Sequence, residues 1–174
     1  HHRLNELVQL MGSARYLSAL EALNNYAEQL ARSGFNAIPD GEYRFSDVLD
    51  DDGLGQADIE IHSSIQVNNG TVKVDLSGSS GQVRGNVNCP ISVTAAAVYY
   101  VFRCLLPPQA PACAGSFRPL TITAEPGSLL NADFPAAVAA GNVETSTRIV
   151  DVVLGALAQA IPDKIPAASH GSMN

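Results

Sequence analysis

An α+β domain is the fold class this sequence predicts, and three patterns predict it. Two apolar stripes at helical spacing fill the first 35 positions, period-two alternation runs through residues 59–76, and a continuous apolar stretch covers 91–106. The expected arrangement is an N-terminal helical hairpin (residues 1–35) followed by an α+β core (residues 36–174). In that core an antiparallel β-hairpin or meander packs with a buried helix and a long C-terminal helix.

Leu4, Leu7, Val8 and Met11 fall at i, i+3, i+4 and i+7, and Gly12 ends that stripe. Leu17, Leu20, Leu23, Tyr26, Ala27 and Leu30 carry a second one to Ser33-Gly34. Such a pair either packs on the rest of the domain or completes an interface with further polypeptide. Tyr43, Phe45 and Val48 predict a short strand, and Ile59, Ile61, Ile65 and Val67 a longer one. Val72, Val74 and Leu76 alternate with Thr71, Lys73 and Asp75, and Asn68-Asn69-Gly70 joins these two strands. Asn and Gly tolerate the positive φ of a two-residue turn, so 59–76 reads as a hairpin. Asn69-Gly70-Thr71 also matches a glycosylation sequon, a coincidence in an intracellular chain.

The apolar run from Ile91 to Leu106 contains Ser92, Thr94 and Arg103 and lies between Pro90 and Pro107-Pro108. It falls short of the roughly 20 residues of a membrane span and reads as a buried helix. A proline-rich crossing from Pro107 to Pro119 leads to a strand over Leu120–Ala124 and a turn at Glu125-Pro126-Gly127. The last helix begins near Asn142, a natural cap. It carries Ile149, Val150, Val153, Leu154, Leu157 and Ala158 inward and stops before Pro162.

With 46% hydrophobic and 16% charged residues in 174, the chain has enough apolar material for a core, which argues against disorder. A net charge of −7 with no Lys or Arg cluster argues against nucleic acid and anionic membranes as partners. Cys89, Cys104 and Cys113 form no CxxC pair and leave one odd, which fits reduced thiols and a cytoplasmic setting. Of the three, Cys104 is expected to be the costliest to replace, because it sits in the apolar helix.

Phosphate-loop, dinucleotide, zinc-protease and nucleophile-elbow motifs are all missing from the sequence. The acidic run Asp47, Asp50, Asp51, Asp52 before Gly53 lacks calcium-loop register, since Val48 takes the first ligand position, and it reads as a solvated turn. His62, His170 and the cysteines do not fall at zinc spacing, so no metal is expected on this segment.

The densest polar stretch is Asp75–Pro90, DLSGSSGQVRGNVNCP, which leaves a strand and enters the apolar helix. Ser79, Gln82, Asn86 and Asn88 supply donors and acceptors, while Gly78, Gly81 and Gly85 permit a tight backbone path. Such a loop is either a structural connection or one wall of a site. Glu144, in Gly141-Asn142-Val143-Glu144-Thr145-Ser146, is either an acid favoured in a first helical turn or a group pointed at a ligand. Arg118, between Phe117 and Pro119, either anchors a loop or holds a carboxylate or imide oxygen through its planar fork. Arg148 reads as an ordinary surface or interface residue.

Several of these segments, in this order, resemble the hydantoinase B/oxoprolinase family. They are Asp75-x-Ser77-Gly78-x-x-x-Gln82, Gly85-Asn86-x-Asn88-x-Pro90, Gly115-x-Phe117-Arg118-Pro119, Glu125-Pro126-Gly127-Ser128-Leu129-Leu130-Asn131, Pro135-Ala136-Ala137-Val138 and Gly141-Asn142-x-Glu144-Thr145-Ser146. With Pro39-Asp40-Gly41-x-Tyr43-x-Phe45-x-Asp47 and Ala156-Leu157-Ala158-Gln159-Ala160-x-Pro162, the similarity spans nearly the whole chain. One departure is Cys113, where the family usually has asparagine.

The resemblance implies ATP-dependent opening of a cyclic amide or imide, a hydantoin or 5-oxoproline. This segment would belong to the C-terminal half of a longer B-type subunit in a hetero-oligomer. ATP and Mg2+ are expected on a hydantoinase A-type subunit or adjoining domain that activates the ring carbonyl, and none on this segment. Asn86, Asn88 and Asn142 would then supply neutral donors to a developing oxyanion, and Glu144 would orient water or act as a base. Ser79, Gln82, Arg118 and His170 are the candidate substrate-binding residues. These groups are expected to converge, the loop and the helix start facing each other across a cleft. An acetone or acetophenone carboxylase-like subunit is the nearest enzymatic alternative. A noncatalytic assembly module is the other.

Overall fold

The computed structural model describes residues 1–171. Among these, α1 (His2–Met11) and α2 (Ser13–Phe35) are separated only by Gly12. The strands β1 (Gly41–Asp51), β2 (Ala57–Asn68) and β3 (Thr71–Asp75) follow, then α3 (Ile91–Leu105), β4 (Leu120–Thr123) and α4 (Ser146–Ala158). One π-helical turn, Gly141–Thr145, leads directly into α4. The fold is α+β, as predicted.

The sheet runs in the order β1-β2-β3-β4, with the first two pairings antiparallel and β3–β4 parallel. A parallel neighbour requires a crossover. Here the polar loop, α3 and the proline-rich segment provide it. Asn69 (φ 46°) and Gly70 (φ 71°) form the two-residue β2–β3 turn, the backbone that Asn-Gly favours.

Alternation decides the faces. Ile59, Ile61, Ile65, Val67, Val72 and Val74 point inward and are essentially inaccessible, against Ile149, Val152, Val153, Ala156 and Leu157 of α4 and Val98, Val101 and Phe102 of α3. Each such side chain contributes about 1.5–3 kcal/mol of burial. Phe35 meets Phe102 edge-on at 5.4 Å and so ties α2 to α3. The exposed face carries Glu42, Arg44, Ser64 and Gln66.

One expectation changes. β1 is twice the expected length, because polar Arg44, Ser46, Asp50 and Asp51 sit on an edge strand where solvent satisfies them. Of the two placements left open for the stripe of α1, packing on the core is not the one adopted: α1 buries no residue, and its Leu4, Leu7 and Leu10 are exposed.

Candidate functional site

The polar loop is first of all a junction. The Ser80 hydroxyl accepts from Glu60 N at 2.9 Å while Ser80 N donates to the Glu60 carbonyl at 2.9 Å, which clamps the loop to β2. Ser79 Oγ donates to the Leu76 carbonyl (2.7 Å) and accepts from His62 N (3.0 Å). Gln82 Oε1 accepts from Asp133 N at 2.9 Å. Asn88 is fully buried: its Oδ1 accepts from Val83 N (2.7 Å), and its Nδ2 donates to the carbonyls of Val83, Gly85 and Ala137 at 2.9–3.0 Å.

Asn88 is therefore corrected from oxyanion donor to internal brace, since its amide hydrogens are already committed. Ser79 is likewise consumed within the fold, and the Gln82 oxygen holds a neighbouring loop. Arg118 binds Asn25 (2.8 Å), Glu21 (3.2 Å) and Glu28 (3.4 Å) of α2, which fixes the segment after α3 to that helix. Its guanidinium proton is held more tightly than usual, chiefly by the hydrogen bond to Glu21.

Asp52 corrects the reading of the acidic run as wholly solvated. It is 5% exposed, and its carboxylate accepts from Leu54 N, Gln56 N and Gly85 N at 2.8–3.0 Å. The backbone donors, Leu54 first, hold its carboxyl below the usual carboxylate range. The turn after β1 is thereby bolted to the polar loop.

The loop and the start of α4 do meet, but backbone to backbone. Ala140 N and Gly141 N donate to the Asn86 carbonyl at 2.9 and 3.2 Å, Thr145 Oγ1 donates to the Val87 carbonyl, and Cys89 Sγ donates to the Gly141 carbonyl at 3.1 Å. Burial pushes the Cys89 thiol up to about 12. Cys89 is the inaccessible cysteine and Cys104 is exposed, so the expected ranking of the thiols is reversed. The expected cleft between the two segments is closed by these contacts.

Side chains leave this seam toward three separate depressions. Asn142 lines a predominantly apolar one of about 570 Å³ with Val93, Ala96, Ala97 and Tyr100 of α3, Ser146, Thr147 and Val150 of α4, Ser92 and Ser169. Glu144 and His170 line a polar one of about 330 Å³ with Asp50, Asp51 and Arg148. Asn86 faces a third, of about 400 Å³, with Asp52 and Arg84. Asn142 makes no capping bond; it lies inside the π turn, whose amides are taken by Ala140 and its neighbours.

Sequence reasoning missed Asp151 and underrated Arg148. Arg148 donates to Asp47 Oδ2 of β1 at 2.7 Å and stands 3.8 Å from Asp151, whose side chain is 5% exposed. The signal was there: a lone acid in the aliphatic run Ile149-Val150-Asp151-Val152-Val153 on a helix predicted to be buried.

Two of these depressions offer a triphosphate no unpaired positive charge. The larger one is apolar. The one with Arg148 carries Asp50, Asp51 and Glu144, and its arginine is already paired. Among the described residues no three His, Cys, Asp or Glu side chains converge as metal ligands, and no helix is long and apolar enough to cross a membrane.

Comparison with known proteins matches this arrangement to one family. The chain is 32% identical over 176 residues to the B-type component of a D-/L-hydantoinase from Pseudomonas sp., covering 95% of this chain and 30% of that protein. It is 37% identical over 181 residues to 5-oxoprolinase of Dictyostelium discoideum, covering 96% of this chain and 14% of that one. The chain thus spans about a third or less of these relatives. Its fold is shared with ATP-dependent caprolactamase from Pseudomonas jessenii (TM-score 0.76, 23% identity, 94% of this chain and 28% of that one). It is shared equally with nucleotide-free acetone carboxylase (TM-score 0.74, 16% identity, 92% and 23%). The hydantoinase B/oxoprolinase family model matches residues 1–174 from end to end, and the chain belongs to that family.

Proposed function

We propose that this chain forms part of the B-type subunit of a cytoplasmic, hetero-oligomeric enzyme that opens a cyclic amide or imide ring of the hydantoin or 5-oxoproline class. ATP and Mg2+ are used by an A-type partner. Family membership supports the reaction class, and the lack of a phosphate-binding loop in the sequence supports locating ATP elsewhere.

One observation carries the choice of substrate. Ser146 Oγ gives its proton to the Asn142 carbonyl (2.9 Å), and Thr147 Oγ1 gives its proton to the carbonyls of Val143 (3.0 Å) and Glu144 (2.8 Å). Both hydroxyls line the apolar depression with their lone pairs as the remaining capacity, so they are acceptors there. A ring N–H is the donor they match, and a ketone has none. Asn142 supplies the complementary N–H donors for a ring carbonyl, while the faces of the ring lie against Val93, Ala97 and Tyr100. Glu144 and His170, in the adjoining depression, are the groups suited to orient water and move a proton. Asn86 faces away from both and is assigned no part in this chemistry.

The test is an assay of the complete subunit with its partner and Mg-ATP on hydantoins, 5-oxoproline, and ketones with bicarbonate. Cyclic amides are expected to turn over, and Asn142→Ala and Glu144→Gln are each expected to lower kcat/KM at least about tenfold, roughly 1.4 kcal/mol. The near-equal structural likeness to acetone carboxylase favours a second reading, carboxylation of a ketone. Turnover of ketones alone would establish that reading and remove the first. Full activity in both variants would leave this segment an assembly module.

A further inference from the structure

Beyond the short 3₁₀ turn Pro162–Lys164, the chain returns over α4 as a strap, and a buried charge holds it there. Asp151 Oδ2 accepts from the Ser169 hydroxyl at 2.7 Å and Asp151 Oδ1 from Ser169 N at 3.0 Å. Ser169 Oγ in turn accepts from Gly171 N at 3.0 Å, and Thr147 Oγ1 lies 3.3 Å from the Gly171 carbonyl. Successive residues of the strap serve different depressions: Ser169 lines the apolar one, His170 and Gly171 the polar one. A slip of one residue would put Ser169 or Gly171, neither of which carries an imidazole, where His170 now stands.

A carboxylate 5% exposed among Ile149, Val152 and Val153 is costly unless it is fully satisfied. If the position served packing alone, an apolar side chain of similar volume would hold α4 in the core as well or better. What the charge adds is register, because its two oxygens grip the backbone and side chain of one residue. We propose that Asp151 is a positioning residue: by binding Ser169 at both groups it sets the strap so that the His170 imidazole stands in the depression lined by Glu144. This rests on the reading above for His170 and Glu144. The charged groups around that imidazole are Asp50 and Asp51 from β1 and Glu144 and Arg148 from the start of α4.

The test uses the complete subunit with labelled histidine and methyl groups, following NOEs from the His170 ring to the methyls of Leu49 and Val87 in the same depression, with the ring signal assigned by its loss in His170→Ala. Asp151→Asn and Ser169→Ala are expected to abolish those NOEs as the ring leaves the depression. Ser169 is exposed, so its variant folds even if Asp151→Asn does not. In the assembled enzyme Ser169→Ala should lower kcat about tenfold, and the double variant with His170→Ala should be no slower than His170→Ala alone. Unchanged NOEs in Ser169→Ala overturn the positioning role. So does a double variant in which the losses multiply. The NOE measurement needs no substrate, so an enzyme inactive on every cyclic amide would remove the functional reading while the register result stood by itself.

Discussion

The carbonyl oxygen of Asn88 occupies the space that a β-carbon on Gly141 would need. Gly141→Ala should therefore destabilise the chain by about 3 kcal/mol or more, since the atoms in the way are backbone and cannot rotate aside. Gly81→Ala, where a β-carbon meets nothing within 4 Å, should cost within about 1 kcal/mol. Urea midpoints of the two variants check the contrast.

Asn88 binds four backbone groups from zero exposure, so Asn88→Ala should cost roughly 2–4 kcal/mol and show as lost stability, not as slow turnover of a folded enzyme. Asn88→Asp should be at least as damaging, because a carboxylate would face three carbonyl oxygens. Thermal unfolding of both variants tests this. A folded Asn88→Ala with native stability would restore Asn88 as a candidate ligand.

The Cys89 thiol is raised to about 12 by burial, whereas an unfolded thiol ionises near 8.5. Its contribution to stability is complete below the unfolded value and is lost as pH rises from about 8.5 through 12. Native protein at pH 8 should react with a chromogenic disulfide at Cys104 within minutes and leave Cys89 untouched until denaturant is added. Mass mapping of the labelled cysteines reads the order.

For Asp52 the sign is opposite. Its carboxyl is depressed in the fold, so its stabilisation is present above the ordinary carboxylate value of about 3.9 and is lost as pH falls through the lower folded value. Asp52→Asn should weaken the chain at pH 7 and flatten the acid limb of its stability curve. Denaturation at pH 3 and pH 7 gives both quantities, and an unchanged slope would count against the assignment.

Much of this fold could be read from the sequence because it rests on local patterns: alternation in β2 and β3, the Asn69-Gly70 turn, the apolar run of α3 and the stripe of α4. The length of β1 was hidden, since an edge strand tolerates polar residues that break alternation. The site was less legible. Asn86, Asn88, Asn142 and Glu144 were expected to share one cleft because they cluster in sequence motifs. A motif rich in hydrogen-bond capacity, however, looks the same whether the partner is a ligand or the chain itself. Asp52 was read as solvated and Asp151 escaped notice for the converse reason: their partners, Gly85 and Ser169, lie 33 and 18 residues away.

The bonds that secure the polar loop join Asp52 to Gly85, Asn88 to Ala137 and Val87 to Thr145, across 33, 49 and 58 residues. A chain emerging from the ribosome thus makes β2, β3 and α3 before most partners of the segment between them exist. Contacts at such separation carry a large loop-closure cost and form late. The loop must wait, with its buried asparagine open to water, until Thr145, 58 residues beyond Val87, has been synthesised.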